Sequence, residues 1–211
     1  LARYRTLVAV APANTSYALE FAHFLLRLKR LDEAESAFRS LASHPQAEPD
    51  ARLGLSLVAL ARDERSAALD GLLATNTAFP DHVPVLASLA GLLHLAGRDT
   101  EATANFDRAL TRHPRSADLL RAYGTYLRSV GRPNEALGLL DHAIERRPHN
   151  PELRHERAQL LVALGRNDDA FAAYTAILQE APQYVPALFE SGLLHEKLGD
   201  PLLAEMLLTP L

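Results

Sequence analysis

Apolar residues recur along this chain at helical spacing, in short runs separated by Gly, Pro or polar turns. Between Val83 and Leu95, the residues Leu86, Leu89, Ala90 and Leu93 share one face of a 3.6-residue repeat, so the pattern predicts a helix. Gly97 follows, at the place where a left-handed residue ends a helix at least cost. A second helical run carries Ala102, Phe106, Ala109 and Leu110 and stops before Pro114. The same two-helix pattern returns throughout. Ala34, Ala68, Ala102, Ala136, Ala170 and Ala204 are each 34 residues apart. Four places after each stands a large apolar residue: Phe38, Leu72, Phe106, Leu140, Tyr174 and Leu208. Twelve places before each stands a small one: Ala22, Ser56, Ala90, Gly124, Ala158 and Gly192. Gly97, Gly131, Gly165 and Gly199 precede their Ala by five, and Pro80, Pro114, Pro148 and Pro182 keep the same step. A fixed period of this length marks a stacked repeat architecture.

The helix ends carry matching chemistry. Asn150 is placed to cap a helix with Pro151 at its first position, and Pro133 and Pro201 are placed to open second helices. Asp32, Glu33, Glu101, Glu135, Asp168 and Asp169 fall in first turns, where the helix dipole favours negative charge. The small column has a packing cause. Two antiparallel helices approach closely only where their crossing carries little bulk, so Ala, Ser or Gly is expected to face the Ala column. The large column is expected to fill the space between one repeat and the next.

A small residue, Gly, Ala, a large apolar residue and Pro at these offsets resemble the tetratricopeptide repeat family. The resemblance covers essentially the whole chain. It implies an all-α fold, a right-handed superhelical solenoid of antiparallel helix pairs. The expected organisation is one array over residues 1–211, with repeats starting near residues 15, 49, 83, 117 and 151 and a truncated one at 185–211. Residues 1–14 resemble the second half of a partial repeat, with Tyr4 in the large column and Pro12 at its end. The repeat from Pro49 departs most, with Asp63 where Gly is usual and Gly71 inside its second helix. That helix is therefore expected to be the least regular.

The resemblance also implies where a ligand would sit, because repeats of this family bind along an inner face lined by first helices. Carried over place by place, the candidate residues are Leu19, His23, Leu26, Leu53, Leu57, His94, Arg121, Thr125, Arg128, His155 and Gln159. The first three repeats hold Leu19, His23, Gly54, Pro84 and Ser88 where the family's carboxylate-clamp members carry Lys, Asn and Arg, so that clamp is absent. The Asn ladder of its glycosyltransferase relatives is absent too. What remains is a gradient, apolar at Leu19, Leu26, Leu53, Leu57 and Leu60, then polar and partly basic through His94, Arg121, Thr125, Arg128, His155 and Gln159. That suits an amphipathic helix or an extended peptide with an apolar end and an acidic segment. The competing reading is that the leucines pack against neighbouring first helices and never face the groove.

Composition narrows the chemistry. The 211 residues include no Cys and no Trp, and the formal charge is −4, which argues against a polyanion binder. No apolar run is long enough to span a bilayer. No two of the nine His lie at i, i+4 on one expected helix, so no metal site is expected. No nucleotide-binding or hydrolase motif occurs, and neither cofactor nor catalysis is expected. Arg112-His113-Arg115 and Arg146-Arg147-His149 form small basic clusters, read here as solvent-facing helix ends rather than as a nucleic-acid surface. The start, Leu1-Ala2-Arg3, and the leucine-rich stretch from Leu202 to Leu211 suggest a segment of a larger repeat protein. The apolar end is expected to meet further protein or a second copy. The compartment stays open. The expected partner is a protein or peptide, held by a non-enzymatic scaffold. The alternatives are a recruiting region of a larger sulfotransferase, glycosyltransferase or oxygenase, or a homo-oligomeric spacer.

Overall fold

The computed structural model describes residues 15–199, which form eleven helices and, among these residues, no strand. In chain order they are α1 (Thr15–Arg27), α2 (Leu31–Leu41), α3 (Glu48–Ala61), α4 (Arg65–Ala78), α5 (Val83–Leu95) and α6 (Asp99–Arg112). They continue with α7 (Ala117–Ser129), α8 (Pro133–Arg146), α9 (Pro151–Ala163), α10 (Asn167–Glu180) and α11 (Val185–Lys197). Residues 1–14 and the apolar stretch after Gly199, with Pro201, Ala204 and Leu208, lie outside the described residues.

The chain divides into two compact units, between Ala109 and Leu110. In the first, α1 pairs with α2 and α3 with α4; α2 packs on α3 and α4 on α5, and the first helices α1, α3 and α5 lie side by side. In the second, α7 pairs with α8 and α9 with α10; α8 packs on α9, α10 on α11, and α9 touches α11. Each unit is therefore all-α and made of helix hairpins.

The columns read from the sequence are the core. Ala34, Ala68, Ala102, Ala136 and Ala170 are wholly buried, as are Phe38, Leu72, Phe106 and Tyr174. Burying one such large side chain contributes about 1.5–3 kcal/mol. The small column is buried as well. A Cβ on Gly124 would stand 3.3 Å from the carbonyl oxygen of Ala136, so α7 and α8 meet there almost backbone to backbone.

The helix ends follow the expected signals. The Asn150 side chain accepts a bond from the Leu153 amide at 2.8 Å, with Pro151 opening α9, and Ser116 caps α7 the same way. Gly97, Gly131, Gly165 and Gly199 all have positive φ. In the first two repeats the same place is held by Lys29 and Asp63, at φ 56° and 63°, which L residues adopt at a cost. Just before each second helix, Arg98 chelates Glu101 and Arg132 chelates Glu135, each through two bonds of 2.7–2.8 Å. Arg30–Glu33 and Arg166–Asp169 repeat that pairing.

One expectation fails. Helix α4 is uninterrupted over fourteen residues, as are α6, α8 and α10, despite Gly71. A Cβ there would come within 2.7 Å of the Ser56 hydroxyl, so Gly lets α4 lie close to α3. Thr75 donates to the Gly71 carbonyl at 2.7 Å, which keeps its hydroxyl satisfied within the helix.

Candidate functional site

In the first unit, the expected apolar lining is partly consumed by packing. Leu53 is buried, and Leu19 and Leu26 rest half-buried on the core around Ala22, Leu25 and Phe38. The cause is helix rotation, since a shift of one residue carries a side chain from the groove into the seam between first helices. Leu57 and Leu60 keep partial exposure. His23 meets Phe38 edge-on, centroids 5.0 Å apart, and burial lowers its pKa while Asp50 partly opposes the shift. His94 is drawn sideways, its Nδ1 2.8 Å from the Asp99 carboxylate at the start of α6. Leu95, one residue on, is 77% exposed, the most of any large apolar residue described.

In the second unit, the first helices α7, α9 and α11 are linked by a polar ladder. Arg121 on α7 donates to Glu156 on α9 at 3.2 Å, and Gln159 on α9 donates to Glu190 on α11 at 3.1 Å. Thr125 is exposed and bonds back to the Arg121 carbonyl at 3.0 Å. With Arg128 and Glu156 it lines a small crevice floored by Gly124, Leu140 and Leu160. His155 stands between Tyr174 and Tyr184, ring centroids 6.0 and 5.8 Å away. Burial lowers its pKa, with Glu190, the Pro186 backbone and Glu156 pulling the other way. The same burial, reinforced by Glu190, raises that of the Tyr174 phenol.

Two features of this face changed on folding. The basic character expected around Arg121 is compensated by Glu156, a pairing 35 residues long that no local rule reveals. An apolar stripe replaces it further along: Val185, Phe189 and Leu193, at i, i+4 and i+8 of α11, are 54%, 47% and 40% exposed. Phe189 and Leu193 hold the fifth and ninth places of their repeat, as Leu19 and His23 do in the first, so the register read from the sequence already puts them on this face. The second basic cluster is likewise absorbed. Arg147 forks onto Asp118 at 2.9 and 3.0 Å, and His149 lies 3.1 Å from Glu180. No described helix is long and apolar enough to cross a membrane, and the described residues hold no group of three His, Asp or Glu suited to a metal ion.

Helix hairpins recurring at a 34-residue period, with small-against-small crossings and a bare first-helix face, define a helical-repeat protein. Two family models, each described as tetratricopeptide repeat, match residues 96–151 and 127–188. Together the two matches show tetratricopeptide repeats over residues 96–188. Among solved structures it is similar to the thermophilic tetratricopeptide protein TTC0263 of Thermus thermophilus, at 22% identity and TM-score 0.64, over 85% of this chain and 98% of that one. It is similar as well to a tetratricopeptide repeat protein from Parabacteroides merdae, at 17% identity and TM-score 0.65, over 98% of this chain and 82% of that one. The pilF protein of Pseudomonas aeruginosa matches at 18% identity and TM-score 0.60, over 92% and 88%. At these identities the likenesses show the fold alone. No curated protein matches the sequence significantly. Repeats of this family generally serve as non-catalytic scaffolds for proteins or peptides.

Proposed function

We propose that this chain binds a partner protein or peptide along the face carried by its first helices, without chemistry of its own. The observation that carries the reading is the α11 stripe, where Phe189 and Leu193 stand exposed beside the Gln159–Glu190 bond. Exposed aromatic and aliphatic anchors flanked by polar groups are the usual make-up of a binding hot spot. Leu57, Leu60 and Leu95 supply comparable anchors in the first unit. The Arg121–Glu156 pair makes the partner's complement mixed in charge rather than acidic throughout.

Panning displayed random twelve-residue peptides on the full chain, then titrating the enriched peptides by calorimetry, tests the reading. Phe189→Ser with Leu193→Ser weakens their binding by about tenfold or more at an unchanged melting temperature. Failure to enrich any peptide, or equal affinity for the double variant, overturns it for this face.

A further inference from the structure

Tyr174 on α10 is wholly buried, yet its hydroxyl has no hydrogen-bond partner among the described residues. The Nε2 atom of His155 on α9 is buried and without a partner there as well. The two ring centroids are 6.0 Å apart, so the orphan atoms are neighbours. Folded proteins leave few buried polar groups unsatisfied, and two side by side call for a cause.

A group able to satisfy both stands close by. The Glu190 carboxylate of α11 bears on both rings, favouring the charged imidazole and the protonated phenol. It is engaged elsewhere, accepting from Gln159 of α9 at 3.1 Å. The other groups that face His155 are held as well. Glu156, on its own helix, is paired with Arg121 of α7. Tyr184, just before α11, meets the imidazole edge-on at 5.8 Å, its phenol under the influence of Glu152 and Glu156, and the Pro186 backbone favours the charged ring. Asp141 of α8 is taken by Arg157, two residues from His155 and hence on the opposite side of α9. Glu156 is held by a guanidinium and Glu190 by a neutral amide, so Glu190 is released at the lower cost.

A proton on His155 changes the balance. Nε2 then carries N–H, and two adjacent donors, this one and the Tyr174 hydroxyl, lack an acceptor. A carboxylate can accept from both at once. We infer that His155, Tyr174 and Glu190 form a proton switch: when His155 takes a proton from solvent, Glu190 leaves Gln159 and turns onto Nε2–H and the Tyr174 hydroxyl. The rung between α9 and α11 is then undone, and the Gln159 amide is set free on the first-helix face. The consequence for binding rests on the partner-binding reading. A partner covering Phe189 and Leu193 shields His155 further from water, which favours the neutral imidazole, so affinity falls as the pH falls.

Nitrogen-15 NMR of the full chain tests the switch without any ligand. As the pH is lowered from 8, the His155 ring nitrogens move from the neutral to the charged shift, a signal assigned by its loss in His155→Gln. The Gln159 side-chain amide shifts with the same midpoint. In Glu190→Gln the imidazole titrates at a lower pH and the Gln159 amide no longer follows it. A Gln159 amide that ignores the titration in the wild type or still follows it in Glu190→Gln overturns the switch. So does a midpoint not lowered in Glu190→Gln, or a His155 that stays neutral for as long as the chain is folded. The panned peptides read the consequence: between pH 7.5 and 5.5 their affinity falls about threefold or more for the wild type and stays level for His155→Gln. Equal falls in both proteins overturn the link to binding. If no peptide enriches, the partner reading falls while the NMR titration still decides the switch.

Discussion

Arg121 on α7 and Glu156 on α9 share an ion pair, Nη1 to Oε1 3.2 Å, that ties two successive first helices together on the exposed face. Both side chains keep contact with water, so the pair is worth only about 0.5 kcal/mol. Arg121→Glu sets two carboxylates against each other and lowers stability slightly, whereas Arg121→Glu combined with Glu156→Arg restores it. A double-mutant cycle by chemical denaturation measures the coupling. A coupling indistinguishable from zero would show that the two side chains do not meet in solution.

Gly54 lies under Phe38: a Cβ on Gly54 would stand 2.3 Å from the ring. Gly54→Ala forces apart α2 and α3 and costs about 1–3 kcal/mol, more than the roughly 1 kcal/mol that Ala gains over Gly in a helix. Gly91, in the middle of α5, has nothing within 4 Å of its would-be Cβ. Gly91→Ala therefore stabilises by about 0.5–1 kcal/mol. The opposite signs should be evident in thermal melts of the two variants.

Ala136 is wholly buried against the crossing with Gly124. Ala136→Leu overpacks that crossing at a cost of about 1–3 kcal/mol. A melting temperature equal to that of the wild type would contradict the packing of α7 on α8.

Asp63 holds a positive φ where four other repeats have Gly. Asp63→Gly relieves that strain and raises stability by about 0.5–1 kcal/mol, net of the greater freedom of Gly in the unfolded chain. Denaturant titration tests the gain, and a loss would assign Asp63 a structural bond not outweighed by strain relief.

Burial lowers the pKa of His155 and His23 from the ordinary imidazole value of 6.5. The unfolded chain thus takes up protons before the folded one, and stability falls as pH drops below about 6.5. His155 is faced by Glu156 on its own helix, Tyr174 on α10, Glu190 on α11 and Tyr184 just before it. His155→Phe removes one titrating group, so its melting temperature declines less between pH 7.5 and 5.5 than that of the wild type. A steeper decline in the variant would reverse the sign of the argument.

Much of the fold was legible in the columns. Ala34 through Ala170 and Phe38 through Tyr174 could be named as core because their register repeats, and a repeated register means a repeated neighbour. The cap at Asn150 and the helix start at Pro133 were legible because a helix end is a local event, decided by the residues beside it. The candidate surface was only half legible. Leu53 belongs to the interior and Leu57 keeps partial exposure, although both sit among the same apolar neighbours.

The sequence by itself determined the period, the helices and which faces they bury, since those depend on interactions within a few residues or on a pattern copied from repeat to repeat. Only the tertiary structure decided that Arg121 is neutralised by Glu156, that Phe189 and Leu193 stand bare, and that Glu190 bears on His155. Such contacts join residues some thirty positions apart, and their outcome turns on a few degrees of helix rotation, which the spacing of apolar residues does not specify.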